Sequence, residues 1–412
     1  MKKIDLSKYD YELPKERIAQ YPLADRSQSK LLVASAKERS IKHLKFNDLV
    51  ELLPLSSHLF INVTKVIPAR LNLMKKTGGR AELLLLEPFS ECKDYEVAMR
   101  ACSPLVWRCI VGGRRIKPCD VLTDPNAIDS GVESFKAEII EVNNKEVIVE
   151  ISWKPWQVAF AEILSKLGRT PLPPYICREA IESDRTSYQT VYSKYDGSVA
   201  APTAGLHFTR KILSQIEAKG INISELTLHV GAGTFLPIAN DNFQKHVMHS
   251  ELFSVTLDMV QSLYNSLVER KKIVATGTTT MRTLESLYWL GVKVWNGYKL
   301  TGDVLINQSE PYSLKSRSSL LSPISAVNIL LAEMRKSNLG KIIGKTQLFI
   351  VPGYEIKFVD ALITNYHVPK STLILLVAAF LGGDFWKEVY REALDNGYRF
   401  LSYGDASLLL RF

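Results

Sequence analysis

Between residues 72 and 153 the chain keeps hardly any helical period. Runs such as "AELLLLEPF", "DYEVAMRAC", "WRCIVGG", "SFKAEIIEVNN" and "KEVIVEISW" are short and β-like, and Gly, Pro, Asn and Asp separate them. That spacing predicts a small antiparallel barrel or sandwich. On both sides of it strands and helices alternate, which points to layered α/β structure. The expected fold class is therefore α/β: a large mixed α/β domain made of residues 1–65 and 154–412, interrupted by a small antiparallel β-barrel domain over 66–153. With 412 residues and 46% apolar content the chain has enough material for more than one core.

Within the flanks, "KLLVAS" and "SHLFINVT" predict strands on either side of a helix near "NDLVELL". "PWQVAFAEILSKLG" predicts a helix with Pro155 near its start and Gly168 as C-cap. The run "STLILLVAAFLGG" is about a dozen residues long, short of the roughly 20 that span a bilayer, so it reads as a buried helix and no membrane partner is expected. The stretch 291–345 holds a serine-rich turn and one amphipathic helix, and is expected as an elaboration beside the core. No apolar segment of signal-peptide type opens the chain. The five cysteines form no CxxC and fit reduced thiols of a cytoplasmic protein, not a disulfide or zinc framework.

The balance of 52 Lys plus Arg against 43 Asp plus Glu, a net +9, suits an acidic partner such as RNA or a phosphorylated small molecule. The basic runs "MKKTGGR", "GGRRIK" and "ERKK" are scattered along the chain and read as solvated faces.

Several turns carry chemistry-bearing residues. "SVAAPTAGLHFT" brings His207 up to backbone nearly bare of side chains, with Gly205 in its turn. "LTLHVGAGTFLPI" repeats the arrangement with His229, Gly231 and Gly233. "VGAGTF" imitates a dinucleotide-binding loop, but Pro237 and "ANDN" follow at once in place of a helix, which argues against that use. "HVMHSE" offers His246 and His249, too few ligands for a metal site without a third such as His229. In "KKIVATGTTTMRTLESLYWL" a strand runs through Gly277 and Thr278, Thr279 and Thr280 into a helix, whose N-terminus can receive an anion beside Arg282. The plain structural alternative is a capped helix with an Arg282–Glu285 surface pair. "FVDALITNYHVPKSTLILLVAAF" repeats the strand–turn–helix layout with Asn365, His367 and Lys370 in the turn, and "YRFLSYGDASLL" places Asp405 beside Gly404.

Taken together and in order, "AQYPLADRSQSKLLV", "FINVTKVIPARL", "TGGRAELLLLE", "DRTSYQTVYSKYDGSVAAPTAGLHFT", "LTLHVGAGTFLPI", "HVMHSE", "ATGTTTMRTLES", "LFIVPGYEIKFVDALITNYHVPKSTLILLVAAF" and "YRFLSYGDASLL" resemble the S-adenosylmethionine:tRNA ribosyltransferase-isomerase family of queuosine biosynthesis. The resemblance implies an α/β domain with an inserted barrel. It also implies a transferase that moves the ribosyl part of S-adenosylmethionine onto 7-aminomethyl-7-deazaguanine at the wobble position of tRNAs with a GUN anticodon, releasing adenine and methionine. S-adenosylmethionine is then a co-substrate, with no permanently bound cofactor and no metal, and the enzyme is expected as a cytoplasmic monomer.

That chemistry needs a base for a 5′ proton acidified by the sulfonium, an acid for the departing adenine and an uncharged acceptor amine, tasks suited to histidine. His207, His229, His249 and His367 sit in matching motifs, and the resemblance assigns the base to no single one. Asp360, Asp405 and Glu285 are expected to orient a histidine or hold ribose hydroxyls. Arg282 and the Thr278–Thr280 turn are expected to take the methionine carboxylate. Tyr188, Tyr354 and Phe235 are available to face the sulfonium. Where the family has Asp-Thr-Arg before "VIPARL", this chain has Val63, Thr64 and Lys65. An S-adenosylmethionine enzyme with another acceptor and a non-catalytic tRNA-binding protein are the competing readings.

Overall fold

The computed structural model describes residues 4–89, 94–144, 146–231, 248–300, 304–314 and 321–412. The N-terminal part supplies β1 (Lys30–Ser35), β2 (Ser40–Lys45), a single helical turn α1 (Leu49–Leu52), β3 (Ser57–Asn62) and β4 (Thr64–Val66). The barrel follows: β5 (Arg70–Lys75), β6 (Arg80–Pro88), helix α2 (Tyr95–Arg100), β7 (Leu105–Gly113), β8 (Val121–Thr123), β9 (Ser134–Asn143) and β10 (Glu146–Lys154). Its strands close in the order β10-β7-β6-β5-β8-β9, each neighbouring pair antiparallel. Closure gives the alternating pattern somewhere to put its apolar half: Val147, Val149 and Ile151 point inward against Trp107, Leu83 and Ile139, while Glu146 and Glu150 face water.

One run departs from the β reading. "DYEVAMRAC" forms α2, because Asp94 caps the Glu96 amide, Glu96 pairs with Arg100 one turn on, and Tyr95, Ala98 and Met99 share the buried face.

The remaining elements are α3 (Phe160–Leu167), ended at Gly168, α4 (Asp184–Ser187), β11 (Tyr195–Ser198), α5 (Arg210–Ala218), β12 (Asn222–Leu228), β13 (Glu251–Thr256), α6 (Leu257–Val268), β14 (Lys272–Thr276), α7 (Thr278–Trp295), β15 (Val304–Ile306), α8 (Glu310–Ser313), α9 (Pro323–Lys336), β16 (Lys341–Thr346), β17 (Ala361–Asn365), α10 (Thr372–Leu381), α11 (Phe385–Asp395) and β18 (Ala406–Leu410). Among the described residues they build a ten-stranded mixed sheet, β15-β16-β13-β12-β3-β14-β17-β18-β1-β2. Its centre, β12, β3, β14 and β17, is parallel. Leu228, Asn62, Thr276 and Asn365 therefore all end their strands on the same edge, where open α/β sheets bind ligands.

Helix α7 packs so deeply that residues 278–292 are all buried. The described part of 291–345 does not lie beside the core: β15 and β16 complete one edge of the sheet, and Ala326, Val327, Leu330 and Leu331 of α9 join the main apolar cluster. The apolar run from 371 is α10, capped by Ser371 on the Ile374 amide. No helix of the described residues is long and apolar enough to cross a membrane.

Candidate active site

Gly277 ends β14 with φ 91° and ψ 152°, a conformation open to glycine and strained for other residues. It turns the chain sharply into α7, which receives no side-chain cap. The first-turn amides of Thr278, Thr279 and Thr280 are left as unpaired donors, as at any uncapped helix start. Those of Thr278 and Thr279 lie at a narrow cleft with a cavity volume of about 50 Å³. Ala201, Pro202, Thr203 and Ala204 form one wall, Val230 another, and Thr364, Asn365 and His367 at the end of β17 a third. The small residues let a flat ligand approach backbone. Thr278 and Thr279 line this space, whereas the Thr280 hydroxyl is turned back onto the Thr276 carbonyl at 2.6 Å.

The histidines part company. His367 lines the cleft. Its Nε2 meets the Thr364 hydroxyl at 3.0 Å, its amide donates to the Tyr390 hydroxyl, and its carbonyl accepts from Tyr11. Burial lowers its pKa to about 3, so the ring is neutral at pH 7 and, in this buried setting, a weak base. His207 stands behind the wall, buried against Phe46, with Ser29 Oγ at 2.8 Å from Nδ1 and Asn365 Nδ2 at 3.1 Å from Nε2. Burial, helped by Arg399 and Arg26, lowers it to about 3. Asn365 links it to the cleft. The Asn365 Oδ1 is buried with no partner among the described residues.

His229 faces a second, larger cleft of about 420 Å³ between α2 and the face formed by β12, β13 and β16. Thr64 Oγ1 holds its Nδ1 at 2.9 Å, Tyr95 lies against the ring, and burial lowers its pKa to about 4. Asp94, Asp196 and Glu225 share that cleft, each near a lysine: Lys341, Lys65 and Lys194. His249 is exposed. Gly233, Phe235 and His246 lie outside the described residues. Among the described residues no group of three His, Cys, Asp or Glu side chains is placed to hold a metal ion.

The two bare segments do meet, through backbone: Val230 O accepts from Val199 N and Ala200 N, and Val230 N donates to Ser198 Oγ. They line one cleft through Val230 and residues 201–204, but their histidines leave it in different directions.

Other expected residues serve the frame. Gly205 is bare because a Cβ there would collide with Tyr192, while a Cβ at Gly231 would meet open space. Arg282 is buried and pairs with Glu251, not with Glu285, and its Nε donates to the Leu348 carbonyl. Glu285 is fully buried, anchoring the 354–359 loop by accepting from Tyr354 Oη and the amides of Lys357, Phe358 and Val359; burial raises its pKa. Tyr354 is thereby committed as well, and also accepts from Trp289. Asp360 precedes β17, about 17 Å from its cleft end by strand rise. Its carboxylate holds the Ile273 amide. Asp405 closes its own turn through the amides of Lys30 and Arg399. Tyr188 is buried edge-on against Tyr403.

The profile of the queuosine biosynthesis protein family matches residues 6–409. The chain belongs to that family. An S-adenosylmethionine:tRNA ribosyltransferase-isomerase of Thermotoga petrophila is 38% identical over 98% of this chain and 99% of its own length. One of Natranaerobius thermophilus is 37% identical with the same shares covered. The crystal structure of S-adenosylmethionine tRNA ribosyltransferase from Thermotoga maritima is 29% identical, covers 98% of this chain and 100% of its own, and superposes with a TM-score of 0.47.

Three residues given no role from the sequence act on the histidines and the turn beside them: Ser29 and Thr64 fix histidine orientation, and Tyr192 needs the bare Gly205. All three lie within stretches that carry the family resemblance.

Proposed function

We propose that this chain transfers and isomerises the ribosyl moiety of S-adenosylmethionine onto 7-aminomethyl-7-deazaguanine at the wobble position of cytoplasmic tRNAs with a GUN anticodon, yielding epoxyqueuosine, adenine and methionine. The supporting observation is the cleft in which the uncapped α7 N-terminus and a neutral His367 line one space walled by residues 201–204. The methionine carboxylate sits on the Thr278–Thr280 amides, where the helix end favours an anion. The ribosyl and adenine parts lie along the small-residue wall. Asn365 Oδ1, otherwise unpartnered, accepts a hydrogen bond from the substrate. His367 is the base for the 5′ proton in this placement, and His207 fixes Asn365 from behind.

The test is to incubate the protein with S-adenosylmethionine and tRNA carrying the aminomethyl base, following adenine release and nucleoside mass. Absence of adenine refutes the proposal. Adenine with an unmodified wobble base supports a different acceptor, a reading favoured by Val63, which lines the second cleft where the family carries an acid.

A further inference from the structure

Two basic stretches forty positions apart, residues 75–80 and 114–117, meet at one end of the barrel. Strand pairing brings them there: Ala81 at the start of β6 lies opposite Gly113 at the end of β7. Lys75 fastens the two turns, donating to the Arg115 carbonyl at 2.7 Å and pairing with Asp120 at 2.9 Å. The other five cations, Lys76, Arg80, Arg114, Arg115 and Lys117, are exposed, and none is in an ion pair with a described acid. The nearby acids are already engaged, Glu82 by Arg70 and Asp120 by Lys75. Elsewhere on the surface some cations are matched, as in Lys166–Glu162 and Lys194–Glu225. This end therefore concentrates unmatched positive charge.

Its shape narrows the partner. Gly78, Gly79, Gly112 and Gly113 keep the ridge low, so a rigid polyanion can approach the backbone. Its one large apolar side chain, Ile116, is half-buried, so nothing projects to enter a bilayer. Guanidinium forks match phosphate oxygens in pairs. We propose that this end of the barrel grips the phosphate backbone of the RNA substrate, an inference that rests on the tRNA reading above. Strand β5 begins at Arg70, bonded to Arg169 beyond the barrel, and carries the tip about 17 Å outward. The contact is made away from the reacting base, so it strengthens binding without altering the chemical step.

The experiment compares the full chain with a variant carrying Arg80→Gln, Arg114→Gln, Arg115→Gln and Lys117→Gln, and with a charge control, Lys336→Gln plus Lys387→Gln. Removing four phosphate contacts should lower the slope of log binding constant against log salt by about 3 and raise the KM for tRNA by about tenfold or more. The kcat and the KM for S-adenosylmethionine should stay as in wild type, and the control should change neither tRNA value. If the quadruple variant fails to fold, Arg114→Gln with Arg115→Gln should give about half the slope change. An unchanged KM and salt slope in a folded variant overturns the inference. If wild type releases no adenine, the reaction assignment has failed, and filter binding of tRNA at several salt concentrations still decides the inference. Retention on anionic phospholipid vesicles that depends on these residues, with tRNA binding unaffected, overturns it in favour of a membrane.

Discussion

Replacing Glu285 by Gln separates an anchoring carboxylate from a reacting one. Oε1 accepts from the Phe358 and Val359 amides at 2.9 and 3.3 Å, and Oε2 from the Lys357 amide and the Tyr354 hydroxyl, both at 2.9 Å. Glutamine retains one oxygen and puts an NH₂ in place of the other. With the NH₂ at the Oε1 position, two backbone donors face a donor. At the Oε2 position the Tyr354 hydroxyl can turn to accept from the NH₂ while losing the acceptor for its own O–H, and the Lys357 amide is orphaned. The second arrangement wins because it gains an NH₂-to-hydroxyl bond, at a cost of about 1–3 kcal/mol. Alanine orphans all three amides and leaves a cavity, so it should cost more than about 3 kcal/mol. Urea unfolding at pH 7 should rank wild type above Gln above Ala, and kcat of folded Glu285→Gln should stay within about twofold of wild type. A Gln variant as stable as wild type would refute the donor accounting. A loss of about 10²-fold in kcat at intact stability would put the carboxyl into the chemistry.

Further outcomes follow from the same geometry. Gly277→Ala has room for its Cβ, 3.4 Å from Thr279 Oγ1, so its cost is backbone strain of about 1–3 kcal/mol; calorimetry should show a lower melting temperature and weaker S-adenosylmethionine binding, and an Ala protein equal to wild type contradicts this. His367→Ala should lower turnover by about 10²-fold or more if the ring takes the 5′ proton, whereas unchanged turnover removes it from that role. The pKa values of His207 and His367 are lowered to about 3, and that of His229 to about 4, so the folded protein resists protons that the unfolded chain binds near 6.5. Stability should be full above pH 6.5 and fall as pH drops toward 4, by about 1.4 kcal/mol per unit for each such histidine. A urea midpoint unchanged between pH 7 and 5 is the contrary result.

The sequence was most readable where a local pattern settles the outcome. Alternation in "KEVIVEISW" sufficed for a barrel strand, and "ATGTTT" for a strand that turns into a helix. It was least readable where the deciding partner is distant. Glu285 looked available until the 354–359 loop, some 70 positions on, filled its oxygens. The bareness of Gly205 suggested a ligand, but Tyr192 fills the space. Residue type at 207 and 229 announced histidines, yet the direction of each ring is set by Ser29, Asn365 and Thr64, 165 to 178 positions away for the first and last. The β reading of "DYEVAMRAC" failed because Asp94 and the Glu96–Arg100 pair outweigh a weak strand pattern.

The junction at Val230 has a kinetic meaning. One residue presents its side chain to the first cleft while its neighbour His229 presents an imidazole to the second, and both amides are tied down, one to Ser198 Oγ and the other to the Leu252 carbonyl. A partition held so tightly cannot yield on one side without moving on the other. A ligand that shifted this wall from one side would change affinity on the other, and by reciprocity by the same factor in both directions. Should both reactants bind against it, initial-rate patterns at varied concentrations of both would carry the imprint of that shared wall.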